Sequence, residues 1–102
     1  MFAIGDRLWP GVSKLVEELG ELQQVLGKLM GSRGKTAHWS GDLSMMLVEE
    51  IADVLAAIQF VIEKNKLNKD TIMKRVNAKL ATFHKWHEDT VCSGTITRRS
   101  EL

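Results

Sequence analysis

From Val12 the apolar residues recur as Leu15, Leu19, Leu22, Leu26 and Leu29, in alternating steps of three and four. That spacing gathers them on one face of a helix and would scatter them on a strand, so the chain has to open with an amphipathic helix that buries a stripe. Pro10, the one proline, stands just ahead of the run, where its missing N–H costs nothing. A second run holds Leu43, Met46, Leu47, Ile51, Val54, Leu55, Ile58, Val61 and Ile62, with Ser40 or Asp42 as its cap. It is apolar around much of its circumference, which predicts a central helix or one at a subunit interface, ending near Ile62. A third helix is expected from about Asp70, carrying Ile72, Val76, Leu80, Phe83 and Trp86, with Trp86 packed as core. The short link at residues 64–68 favours an antiparallel neighbour. These readings add up to an all-α fold, an antiparallel bundle of three main helices, with dimerisation open as a way to complete so small a core. At 102 residues the chain fits one domain with a modest core of its own. We place that domain at residues 1–89. After Asp89 the periodicity is lost, and residues 90–102 read as a tail or arm.

Between the first two helices, the stretch from Gly31 to Gly41 contains further glycines and reads as a loop. Its Gly34-Lys35-Thr36 is not a Walker loop, because no glycine occupies the pattern's first position and no strand precedes it. Gly20, inside the first helix, suits either close packing by a neighbouring helix or a functional need. A formal net charge of +1 argues against a dedicated nucleic-acid binder. No stretch reaches the roughly 18 apolar residues of a membrane span, and Asp6 and Arg7 interrupt the opening segment, unlike a signal peptide. Cys92 is the only cysteine, which excludes an intrachain disulfide and suits a reducing cytoplasm.

The carboxylates fall where leucines belong. On the first helix the inward seam runs Leu15, Glu18, Leu22, Val25, Leu29, and on the second Leu43, Leu47, Glu50, Val54, Ala57, Val61. Each seam acid has a partner three residues on, Glu21 and Asp53, sharing its helical face. Burying an unpaired carboxylate costs several kcal/mol, and four together repel one another. A small domain, with a stability on the order of 5–10 kcal/mol, needs compensation for this. Protonation or pairing with lysine or arginine are two routes. A divalent cation is the third, and it alone gives four clustered acids a common purpose. Hard oxygen ligands suit Mg²⁺, with Mn²⁺ as a substitute. The alternative is that these acids are solvated surface residues. A carboxylate-bridged di-iron site is set aside, because no acid here is followed by histidine three residues later.

The run Glu17-Glu18-Leu19-Gly20-Glu21, then 28 residues (22 to 49), then Glu50-Ile51-Ala52-Asp53, resembles the Glu-x-x-Glu…Glu-x-x-Asp signature of MazG-like nucleotide pyrophosphohydrolases. The resemblance extends from about Val12 to Trp86. It implies an all-α fold related to dimeric dUTPases and dCTPases, with a four-helix core completed by oligomerisation into a homodimer or homotetramer. It also implies hydrolysis of a nucleoside triphosphate to the monophosphate and pyrophosphate. Carried over, Glu18, Glu21, Glu50 and Asp53 are the Mg²⁺ ligands, and Glu18 or Glu21 orients the attacking water or accepts its proton. Glu17 is a weaker candidate for either role.

Cations should face the triphosphate. Lys79 takes a leucine's place in the third-helix seam Ile72, Val76, Lys79, Phe83, Trp86, and Arg75 lies four residues earlier. Trp39 with His38 is the first candidate for a base pocket, and Trp9 the second. His84 and His87 lack a third nitrogen ligand and read as solvated or core residues, while Arg98 and Arg99 in the tail could reach a neighbouring subunit. Competing functions are a non-catalytic helical interaction module, a nucleotide sensor without turnover, and a phosphoribosyl-ATP-type pyrophosphohydrolase.

Overall fold

The computed structural model describes residues 7–94. It contains three long helices, α1 (Val12–Gly31), α2 (Leu43–Lys64) and α3 (Lys69–Cys92), and one small hairpin of β1 (Ala37–His38) and β2 (Gly41–Asp42). The fold is all-α, as the periodicity predicts. It divides into a first compact unit ending at Leu67 and a second beginning at Asn68.

In the first unit α1 and α2 form an antiparallel hairpin. The start of α1 meets the end of α2: the Asn65 Nδ2 amide donates to the Pro10 carbonyl at 2.9 Å and to the Val61 carbonyl at 2.8 Å. Gly11 fits this junction because it has no side chain. Its φ is +88°, and a Cβ there would lie 2.6 Å from Phe60 Cδ1. At the other end, Ser32 closes α1 by donating its hydroxyl to the Leu29 carbonyl. Arg33 and Gly34 then turn the chain through left-handed φ values of +55° and +86°. Asp42 starts α2, its carboxylate accepting the Ser44 N–H at 2.9 Å. The two Ser44 hydrogen bonds hold the Asp42 carboxyl below its ordinary range.

The segment read as a plain loop carries the β hairpin, in which Ala37 pairs with Asp42 and His38 with Gly41. Strands of two residues are too short to show a period of two, so the sequence pattern could not reveal them. The hairpin unit's core consists of Val25, Leu43, Val54 and Ala57, with Leu43 fully buried. All four were placed on the inward seams by their spacing. Gly20 serves no close packing here, since a Cβ at that position would meet nothing within 4 Å.

The second unit holds α3, capped by Asn68, whose side chain accepts the Thr71 N–H at 3.0 Å. The helix continues through Cys92, so the expected tail begins later than Asp89. None of its residues is buried. Val76, Leu80, Phe83 and Trp86 are all exposed, Trp86 at 55%. Trp86 is therefore not core within this chain; it touches Phe83 with ring centroids 5.8 Å apart. No helix among the described residues is long and apolar enough to cross a membrane.

Candidate functional site

Glu18 and Glu21 stand on successive turns of one face of α1, and Glu50 and Asp53 on successive turns of one face of α2. Because the helices pack along the seams that contain these acids, the four carboxylates converge. Each offers an oxygen, and these oxygens all lie within 4.8 Å of one another. Glu18 is buried at 8% exposure, Glu50 is half-buried, and Glu21 and Asp53 open to solvent. The group thus has one buried acid, one half-buried and two exposed.

Glu18 Oε2 and Glu50 Oε2 are buried and accept no hydrogen bond from any protein group. A buried carboxylate oxygen without a donor is costly, and here one from each helix is left so in the same place. Repulsion within the group is visible at Glu21, whose carboxyl is pushed above its ordinary 4.5, first by the Glu18 charge, then by desolvation and by Glu50. Four hard oxygen donors, two of them orphaned, fit a divalent cation of the Mg²⁺ or Mn²⁺ kind in donor type and number.

The expected seam also proves to have a partner that spacing alone could have supplied. Lys14 Nζ lies 3.2 Å from Glu18 Oε1 and 3.3 Å from Glu17 Oε1, one turn away along α1. The two carboxylates hold the Lys14 ammonium above its ordinary 10.5. Lys14 thus fixes one oxygen of Glu18 and leaves the other buried without a donor. Glu17 is engaged by Lys14 and stands outside the four-acid group.

Other candidates are distributed differently. His38 and Trp39 sit at the β-hairpin turn, with ring centroids 5.3 Å apart and the Lys28 ammonium 5.9 Å from the Trp39 ring. His38 Nδ1 accepts from the Ser40 N–H at 3.1 Å and contacts the Ser40 hydroxyl at 2.7 Å, while Trp39 is 90% exposed. Trp9 is exposed at the entry to α1. Arg75 and Lys79 lie four residues apart on α3, both exposed, as are His84 and His87. Arg98 and Arg99 lie outside the described residues.

Beside the acids opens a cavity of about 340 Å³, lined by Gly11, Lys14 and Glu18 from the α1 side and Asp53, Ala56, Ala57 and Phe60 from α2. Sequence reasoning missed it, because glycine and alanine carry no chemical signal until the helices are placed. Comparison with known proteins gives no match to a family model, a curated protein or a solved structure.

Proposed function

We propose that this chain is a Mg²⁺-dependent pyrophosphohydrolase of the MazG-like kind, which cleaves (deoxy)nucleoside triphosphates to the monophosphate and pyrophosphate. The observation that carries the reading is the pair of buried, unpartnered oxygens, Glu18 Oε2 and Glu50 Oε2, inside a four-acid group. Acids that served only solubility would point outward, where water satisfies them.

In this reading Glu18, Glu21, Glu50 and Asp53 hold the cation. When bound, Mg²⁺ supplies the positive charge that draws in phosphate oxygens and offsets the charge developing on them. Glu18, buried and tied to Lys14, is a fixed ligand. Glu21 is exposed, so it is the α1 acid better placed to orient a water from solvent and take its proton. Arg75 and Lys79 offer two cations on one exposed stretch of α3, which suits a polyphosphate. Exposed apolar side chains on α3, from Val76 to Trp86, support assembly into a homodimer or homotetramer. A lone exposed cysteine suits a cytoplasmic setting.

The test is pyrophosphate release from a panel of nucleoside and deoxynucleoside triphosphates with Mg²⁺. The wild-type chain should turn over at least one of them. Glu50→Gln should abolish that turnover while keeping the helical circular dichroism, because it removes a ligand charge and preserves shape. Wild-type rates in this variant would sink the site assignment.

A further inference from the structure

We infer that the cavity bordered by Lys14, Asp53, Ala56 and Phe60 receives the nucleobase of the substrate, and that the base is recognised there by apolar contact with a flat ring. The inference rests on the triphosphate reading above and adds where the uncharged end of the substrate goes.

Two walls carry it. Along one stripe of α2 the side chains change character in order: Glu50 and Asp53, then Ala56 and Ala57, then Phe60. On the α1 side the lining passes from Glu18 through Lys14 to Gly11, just ahead of the helix. Polar and apolar halves therefore meet without a break, and Glu18 and Asp53 belong both to the acid group and to the cavity lining. A ligand whose phosphates are held at the acids has its remaining bulk directed along this groove.

The cavity is suited to a base in size and in kind. About 340 Å³ lies in the range of small-molecule sites, which are apolar with a few placed polar groups. Ala56 and Ala57 give a low wall, and Phe60 closes the far end. Phe60 is itself held in place, by contact with the Gly11 backbone on one side and by the Lys64 ammonium 5.7 Å from its ring centroid. Lys14, at the junction of the two halves, is the one cationic donor in the lining and can meet a phosphate or a base carbonyl. Beyond Lys14 and the two acids assigned to the cation, the lining is Gly11, Ala56, Ala57 and Phe60, so shape and ring contact dominate recognition, which predicts a broad preference among bases.

The test measures binding separately from turnover. Affinities of dATP, dCTP, dGTP and dTTP are compared by calorimetry with that of 2-deoxyribose 5-triphosphate, which keeps sugar and phosphates and lacks the base. Ca²⁺ replaces Mg²⁺ to hold the ligands intact. The wild-type chain should bind the best of the four at least about tenfold more tightly than the base-free compound. Ala56→Leu, at an exposed position that leaves the core untouched, should erase that advantage by filling the groove. Phe60→Ala should erase it by removing the ring, and both variants should keep the base-free affinity within about twofold. No advantage in the wild-type chain, or an advantage that survives both substitutions, would overturn the inference. Equal losses for every ligand would overturn it too, marking the groove as merely structural. A wild-type base advantage without pyrophosphate release would count against the hydrolase reading and leave the base site standing.

Discussion

The α1–α2 hairpin and α3 were written in the same periodic code and came out differently. Both show apolar residues at helical spacing, yet the hairpin buries Leu43, Val25, Val54 and Ala57 while α3 buries nothing. The hairpin also takes two acids, Glu18 and Glu50, into its seam, whereas the seam cation of α3, Lys79, is exposed. Periodicity tells which face of a helix is meant to be covered. It does not tell what covers it, and that depends on chain or partner beyond the helix itself.

The difference can be sharpened by substitution. The largest effect should come from Glu18→Leu, which should lower turnover by at least about a hundredfold by deleting a metal ligand. The same change should raise the thermal stability of the metal-free protein, because an apolar group replaces a buried, half-satisfied charge. A metal-free melting temperature that fell instead would mean that Lys14 already satisfies Glu18. Next, Leu43→Ala in the hairpin core should cost about 2–5 kcal/mol in denaturant unfolding. Leu80→Ala on α3 should cost far less in dilute monomeric protein, and a comparable loss there would show that α3 is covered in solution. Asn68→Ala should cost about 1 kcal/mol by removing the α3 cap, read as lost helicity on heating.

The smallest effect is one of pH. The Glu21 carboxyl is raised in the folded chain, mainly by Glu18, so the folded state holds its proton more tightly than the unfolded state does. Stability from this group is therefore present below about 4.5 and is lost as pH rises through the raised folded value. Metal-free melting temperature should show this as a slight downward contribution on going from acid toward neutral pH. Saturating Mg²⁺ should remove it, since the cation takes over the charge that Glu18 and Glu21 otherwise share. Glu21→Gln should remove it in the absence of metal.

Much of this was legible from residue order. The seams single out Glu18 and Glu50, with Glu21 and Asp53 on the same faces, because a carboxylate in a leucine's position is a conspicuous interruption. The helix start at Val12 follows from Pro10, while for α2 the sequence offers Ser40 or Asp42 as cap and the structure uses Asp42. Lys14 is equally legible in its spacing, three and four residues before Glu17 and Glu18, but it stands off both seams, so the seam pattern does not single it out. Other features were hidden for physical reasons. The cavity is built from Gly11, Ala56 and Ala57, whose contribution is the space they leave. The β hairpin is too short to display alternation, and the last turn of α3 through Cys92 lacks apolar spacing because nothing there is buried. Trp86 looked like core from its position, and its exposure depends on what lies opposite.

Asn65 gives the hairpin a property its neighbours do not explain. Helix beginnings are ordinarily the first parts of a fold to loosen, but here one amide group ties the peptide before α1 to the last turn of α2, across 55 positions in sequence. Closing so distant a pair costs more chain entropy than closing a near one, so this knot should be among the last to form and its loss an early step in unzipping. Slow deuterium uptake at the first amides of α1, made fast by Asn65→Ala, would be its signature. The groove beside Phe60 would then lose its edge long before the molecule as a whole came apart.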